Sequence, residues 1–151
     1  MGLNCHIFIV KGKPVEITFS QIQDSPDIGI MKLQGALDGA SYEYFIIEAQ
    51  KLYDTGIRNL LLDMSELTFL SSAGIAALHR IARVFRGEDR TTMEEGWSAI
   101  HSIAKDQNSG AQEHIKLLNP SENILAVLDT VGLQAFFEVF TDIHPAMASF
   151  Q

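Results

Sequence analysis

Residues 57–85, IRNLLLDMSELTFLSSAGIAALHRIARVF, constrain the fold more than any other stretch, because a strand pattern gives way to a helix pattern across a short link. Ile57, Leu60, Leu61 and Leu62 place four large apolar side chains in the six residues 57–62. A short apolar run bounded by polar residues predicts a strand covered on both faces. Asp63 ends the run, and Met64-Ser65-Glu66-Leu67-Thr68 read as the connection. From Ile75 the apolar positions change to helical spacing: Ile75, Leu78, Ile81, Ala82 and Phe85. Ser71 and Ser72 stand at the expected N-cap, where a hydroxyl satisfies a free amide. His79, Arg80, Arg83 and Arg86 are expected on the outer side of this helix, with the arginines toward the end where cations suit the dipole. They read either as a solvated face or as part of a partner-docking surface. The two serines sit at an amide-rich helix start that attracts anions.

The rest of the chain supplies partners for that unit. Val15 to Ile22 alternates apolar Val15, Ile17 and Phe19 with polar Glu16, Thr18 and Ser20, which predicts a half-buried strand. Gln23–Asp27 is a turn cluster, and Ile28–Leu33 a second strand, so the two form an antiparallel hairpin. Gly35-Ala36-Leu37-Asp38 leads into a helix over about 40–55, with Tyr42, Phe45, Ala49, Leu52 and Tyr53 as its apolar stripe and Gly56 as its C-cap glycine. Ile115–Leu118 reads as a strand. Ser121 then caps a helix that buries Ile124, Leu125, Leu128 and Val131 and stops at Gly132. Leu133 and Phe136–Phe140 form a last strand, and 142–150 a short terminal helix with Ala146 and Phe150 on one face. The 151 residues make one domain. The expected fold is α/β, with a mixed sheet that opens on the hairpin and continues through strand–helix units favouring parallel strands.

Two segments fit less simply. Residues 1–14 read as an N-terminal extension, in which His6–Val10 is either an added strand or part of a loosely ordered terminus. Residues 87–113 read as an insert, too long for a structureless loop in a compact domain. Within it Met93, Trp97, Ile100 and Ala104 share one helical face, which predicts a helix over about 92–106. That helix either packs over the domain or offers a surface for dimerisation or partner binding.

Composition excludes several functions. Hydrophobic residues at 46% and charged residues at 20% are those of a soluble globular chain. A formal net charge of -8 argues against nucleic acid or an anionic membrane as the main partner. Cys5 is the only cysteine, which excludes an intramolecular disulfide and a cysteine-based zinc site and suits the cytosol. No apolar run approaches the ~20 residues that span a bilayer, no basic segment precedes Ile7–Val10 as a secretory signal requires, and His6 stands where a myristoylation motif wants Ser or Thr. There is no Gly-x-Ser-x-Gly elbow and no phosphate loop. No two of His6, His79, His101, His114 and His144 have the i, i+4 spacing of a helical zinc site, so no metal is expected. A nucleophilic Ser72 would need an adjacent base, and none is identifiable. A non-enzymatic role is expected.

Asp63-Met64-Ser65 followed by Phe69-Leu70-Ser71-Ser72-Ala73-Gly74-Ile75 resembles the signature of STAS domains, the sulfate-transporter and anti-sigma-factor-antagonist family. The common form is Asp-Leu-Ser, several residues, an aromatic, an aliphatic, then Asp-Ser-Ser-Gly-Leu. Ser71 replaces the second Asp and Ala73 the second Ser, while Ser72 and Gly74 keep their places. Gly35-Ala36-Leu37-Asp38 resembles a second family pattern, which marks Asp38; its plain reading is a helix-cap or turn carboxylate. The resemblance covers roughly residues 15–86 and 114–151.

In the bacterial antagonists the serine at the Ser72 position is phosphorylated by a partner kinase. The resemblance therefore implies a cytoplasmic regulatory switch that binds an anti-sigma factor or serine kinase, is reset by a phosphatase, and carries its phosphate on Ser72, with Ser71 as rival acceptor. Asp38, Asp63, Ser72, Gly74, Arg80 and Arg83 are then the candidate binding residues. It implies no cofactor. Two rival readings remain: an unphosphorylated scaffold or sensor subunit with the 87–113 insert supplying the contact, and a small-molecule or nucleotide binder with a pocket near Asp38, Asp63 and Ser72; a homodimer is compatible with each. An exposed Ser72 favours the switch, a Ser72 buried under the insert favours the scaffold, and a deep pocket at the helix start favours the binder.

Overall fold

The computed structural model describes residues 3–8, 15–22, 25–87, 113–133 and 136–150. Among the described residues six strands form one sheet in the order β1-β2-β3-β4-β5-β6, so each strand lies beside its neighbour in sequence. They are β1 (Leu3–Phe8), β2 (Val15–Ile22), β3 (Ser25–Leu37), β4 (Asn59–Leu70), β5 (Ile115–Leu118) and β6 (Glu138–Phe140). The pairs β1–β2 and β2–β3 are antiparallel. The pairs β3–β4, β4–β5 and β5–β6 are parallel. The helices are α1 (Tyr42–Asp54), α2 (Ser72–Phe85), α3 (Glu122–Thr130) and α4 (Ile143–Ala148). The α/β class, the antiparallel opening and the parallel continuation are as expected. The N-terminal segment contributes a full strand: Leu3–Phe8 pairs with Phe8 opposite Ile17 and Leu3 opposite Ile22, extending the hairpin to three strands.

Period-two alternation decides which face each strand residue covers. Val15, Ile17, Phe19, Met31, Leu33, Leu60, Leu62, Met64, Ile115 and Leu117 join the main core with Phe45, Ala49, Ile75, Leu78, Ile81, Ile124 and Leu128 from α1, α2 and α3. The intervening Ile30, Leu61 and Leu118 turn to the other face, where Ala146 of α4 covers them. Leu61 is fully buried, as a mid-strand position in a doubly covered sheet requires.

Several features differ from the pattern reading, beginning with β3, which runs over Ser25–Leu37 and so takes in part of the expected turn cluster. Met64–Thr68 is not a connection: β4 runs on to Leu70 and stays paired with β3 through two register shifts, between Lys32 and Gln34 and between Gly35 and Ala36. At each shift β4 carries one residue more than β3, a bulge that absorbs polar residues without breaking the ladder. The last strand is only Glu138–Phe140, because Phe136 and Phe137 turn back to bond the Leu133 carbonyl. His79 is not on the outer side of α2: it is 1% exposed, with its ring 5.7 Å from that of Phe136. The expected helix over 92–106 lies outside the described residues.

Candidate functional site at the amino terminus of α2

The site is built where β3 and β4 end together. Leu37 and Leu70 are opposite in register, and the Ser71 amide donates to the Leu37 carbonyl at 3.0 Å, which starts α2 directly over the end of β3. Gly74 permits that approach: a Cβ there would lie 2.5 Å from the Leu37 carbonyl oxygen and 2.7 Å from Leu70 Cδ1. The motif glycine therefore serves backbone packing beneath the helix start.

The two serines divide their tasks. Ser71, with extended backbone, is the N-cap, and its Oγ accepts from the Gly74 amide at 3.3 Å. Ser72 is the first helical residue and is exposed. The cap assigned by spacing to either serine thus belongs to Ser71 alone. Among the described residues no group hydrogen-bonds the Ser72 hydroxyl, and the first turn of α2 holds no acidic residue.

Asp38 lies just beyond β3 at the same end of the sheet. Its Oδ1 accepts from the Ala40 amide at 2.9 Å and lies 3.3 Å from Ser41 Oγ, while its carbonyl accepts from the Ser41 and Tyr42 amides. Ser41 is fully buried, donating to the Ala36 carbonyl and accepting from the Asp38 amide. Asp38 thus braces the turn into α1, one residue after the Leu37 carbonyl that accepts from the Ser71 amide. Burial first, then the hydrogen bond and charge of Glu43, hold the Tyr42 phenol above its usual range, with Arg80 opposing.

Asp63 is not brought to this end. It pairs with Lys32 and Leu118, whereas Leu70 pairs with Leu37. Five β3 positions at ~3.3 Å each set it back by roughly 16 Å along the sheet. By alternation it shares the face of Leu61, away from α2. Its Oδ1 accepts from the Ser65 amide at 3.0 Å, an Asx turn that starts the first bulge of β4. Arg80 and Arg83 are half-buried on α2, and Arg83 lies in its last turn, away from Ser72. Phe69 is the residue that pattern reading left out: it is 53% exposed, two residues before the cap and opposite Ala36. Its signal was the spacing of Leu67 and Leu70, which take the buried positions around it. No three described His, Cys, Asp or Glu residues are grouped to hold a metal ion, and no described helix is long and apolar enough to cross a membrane.

The family model for the STAS domain matches residues 20–93. A search of curated protein sequences finds no match. Among solved structures, the chain is similar to an anti-sigma factor antagonist from Mycobacterium paratuberculosis, at 11% identity and a TM-score of 0.62 over 90% of this chain and 93% of that one. It is also similar to the anti-sigma factor antagonist SpoIIAA in its unphosphorylated form, at 15% identity and a TM-score of 0.55 over 89% and 94% of the two chains. At these identities the likeness is one of fold. The matched segment runs from the end of β2 through β3, α1, β4 and α2, and the structural likeness covers 90% of the chain: the chain carries a STAS domain with the STAS fold.

Proposed function

We propose that this protein is a non-catalytic binding switch of the anti-sigma-factor-antagonist kind, docking a regulatory protein at the end of the sheet around Asp38 and the start of α2, and controlled by phosphorylation of Ser72. The observation that carries the reading is the free hydroxyl. Ser71 caps the helix, so Ser72 Oγ is exposed at the first turn with no structural duty among the described residues. A phosphate there would meet free amides and the positive end of the helix dipole, which favour an anion. With Ser71 in place of the carboxylate usual in the signature, the cap adds no negative charge of its own. The modified form therefore keeps its fold, and the added charge acts on the partner surface.

The kinase, the antagonist partner and a phosphatase that resets the site belong to this proposal, as does a cytoplasmic location. Exposure of Ser72 supports the switch over a scaffold in which the serine is covered. The separation of Asp63 from Ser72 weighs against a nucleotide pocket shared by Asp38, Asp63 and Ser72. Incubation of the full chain with native-cell extract and ATP, followed by phosphosite mapping, tests the acceptor. The expected product carries one phosphate on Ser72 and is lost in Ser72→Ala. A phosphate on Ser71, or none on either serine, would contradict the assignment.

A further inference from the structure

The face of the sheet away from α1 and α2 holds an unusual buried cation. Lys116 lies in the middle of β5 between Ile115 and Leu117, opposite Leu61 of β4 and Glu138 of β6, and is 3% exposed. Lysine is almost never buried to this extent unless it is paired. Here the ammonium has three acceptors: Ser149 Oγ at 2.9 Å, the Ser149 carbonyl at 3.3 Å and Glu138 Oε1 at 3.4 Å. It also lies 4.9 Å from the centroid of the Phe150 ring and 5.9 Å from that of Phe140. Ser149 is the C-cap of α4, and Phe150 follows it. A cation on a central strand thus closes the C-terminal end of a helix, where carbonyls lack intrahelical partners and the dipole is negative.

Among the described residues little else holds α4. Six residues are too few for a helix that stands alone. Ala146 is its one fully buried side chain, and Ile143, Met147 and Phe150 are half-buried against the Ile30, Leu61 and Leu118 cluster. The Glu138 carboxylate is 46% exposed, so it remains solvated whether or not α4 is seated. Lifting α4 also returns the ammonium to water, which repays the desolvation of the closed state.

We infer that α4 is a releasable strap whose catch is Lys116. Seated, the strap covers Ile30, Leu61 and Leu118. Lifted, it uncovers that row on the face of the sheet opposite the core that α2 packs on, while the ladder of β3, β4 and β5 stays intact. Segments with few buried contacts open well below the free energy of global unfolding. This one opens as a unit because two of its catch points, Ser149 and Phe150, are adjacent.

Hydrogen exchange of the full chain, resolved by residue, is the test. In the wild type the Ala146, Ser149 and Phe150 amides, which bond the Asp142, Pro145 and Met147 carbonyls, should exchange about a hundredfold faster than Leu61 and Leu62, as a separate opening unit must. Lys116→Met should speed the α4 amides by roughly a further tenfold, with β4 and α2 unchanged. Ser149→Ala removes one acceptor at an exposed position, so it leaves the sheet intact and should speed the same amides by a smaller factor. It decides the matter if Lys116→Met does not fold. Wild-type α4 exchanging as slowly as β4, α4 rates unmoved in either variant, or all elements speeding together would overturn the strap.

Discussion

Gly74→Ala tests how closely α2 is set on the sheet. The added methyl carbon would stand 2.5 Å from the Leu37 carbonyl oxygen, 2.7 Å from Leu70 Cδ1 and 3.1 Å from Leu37 Cγ. The nearest atom is backbone, and that carbonyl already accepts from the Ser71 amide at 3.0 Å. It cannot swing aside as a side-chain tip would, so α2 must lift and weaken both this bond and the Ser71 cap. Overpacking costs about 1–3 kcal/mol, and a backbone obstacle puts this site at the upper end. Alanine in place of glycine returns up to about 1 kcal/mol of helix propensity. The net loss is ~2 kcal/mol, which for a domain of this size lowers Tm by roughly 4–8 °C. Gly39→Ala is the control: nothing lies within 4 Å of its added carbon, and it should stay within about 0.5 kcal/mol of wild type. Urea unfolding followed by circular dichroism measures both. A Gly74→Ala protein as stable as wild type would refute the close approach of α2 to β3.

Leu61→Ala should cost ~2–5 kcal/mol in the same assay, because Leu61 is fully buried in one cluster with Ile30, Leu118 and Ala146; a loss under about 1 kcal/mol would deny β4 its central place. Ser71→Ala should cost about 1 kcal/mol as the loss of an N-cap, whereas Ser72→Ala should change stability by less than about 0.5 kcal/mol; the reverse order would reassign the cap. Tyr42 should titrate above the usual value near 10 for a phenol. Its neutral form is favoured in the fold, so that contribution to stability is present below the unfolded pKa and is lost as pH rises through the folded one. Glu43→Gln should lower the Tyr42 titration seen by ultraviolet absorbance, and an unchanged curve would exclude Glu43 as a cause.

The buried architecture was legible in the sequence because hydrophobic period is what burial selects. The run at Leu60–Leu62, the stripe from Ile75 to Phe85 and the glycine stops at Gly56 and Gly132, with φ of 113° and 79°, all stand as read. What failed turned on geometry that residue types do not carry. Met64–Thr68 has the composition of a loop, yet two bulges let it pair with β3 as strand. His79 is polar but falls four residues after Ile75, on the buried arc of α2, and its spacing was the better guide. Ser71 and Ser72 are equally good caps by type, and a one-residue offset in the helix start separated their roles. Asp63 lies close to Ser72 in the motif, but the length of β4 and its alternation carry it to another part of the sheet.

The central claim is that charge on Ser72 switches binding without altering the fold. Calorimetric titration against the partner recovered by affinity purification, with unphosphorylated protein, protein phosphorylated on Ser72, and Ser72→Ala, tests it most directly. Charge and desolvation penalties across an interface reach several kcal/mol. A penalty of ~3 kcal/mol weakens Kd by more than a hundredfold. The account predicts that loss for the phosphoprotein, tight binding retained by Ser72→Ala, and the same circular dichroism spectrum for all three. Equal affinity of the phosphorylated and unphosphorylated proteins would contradict it.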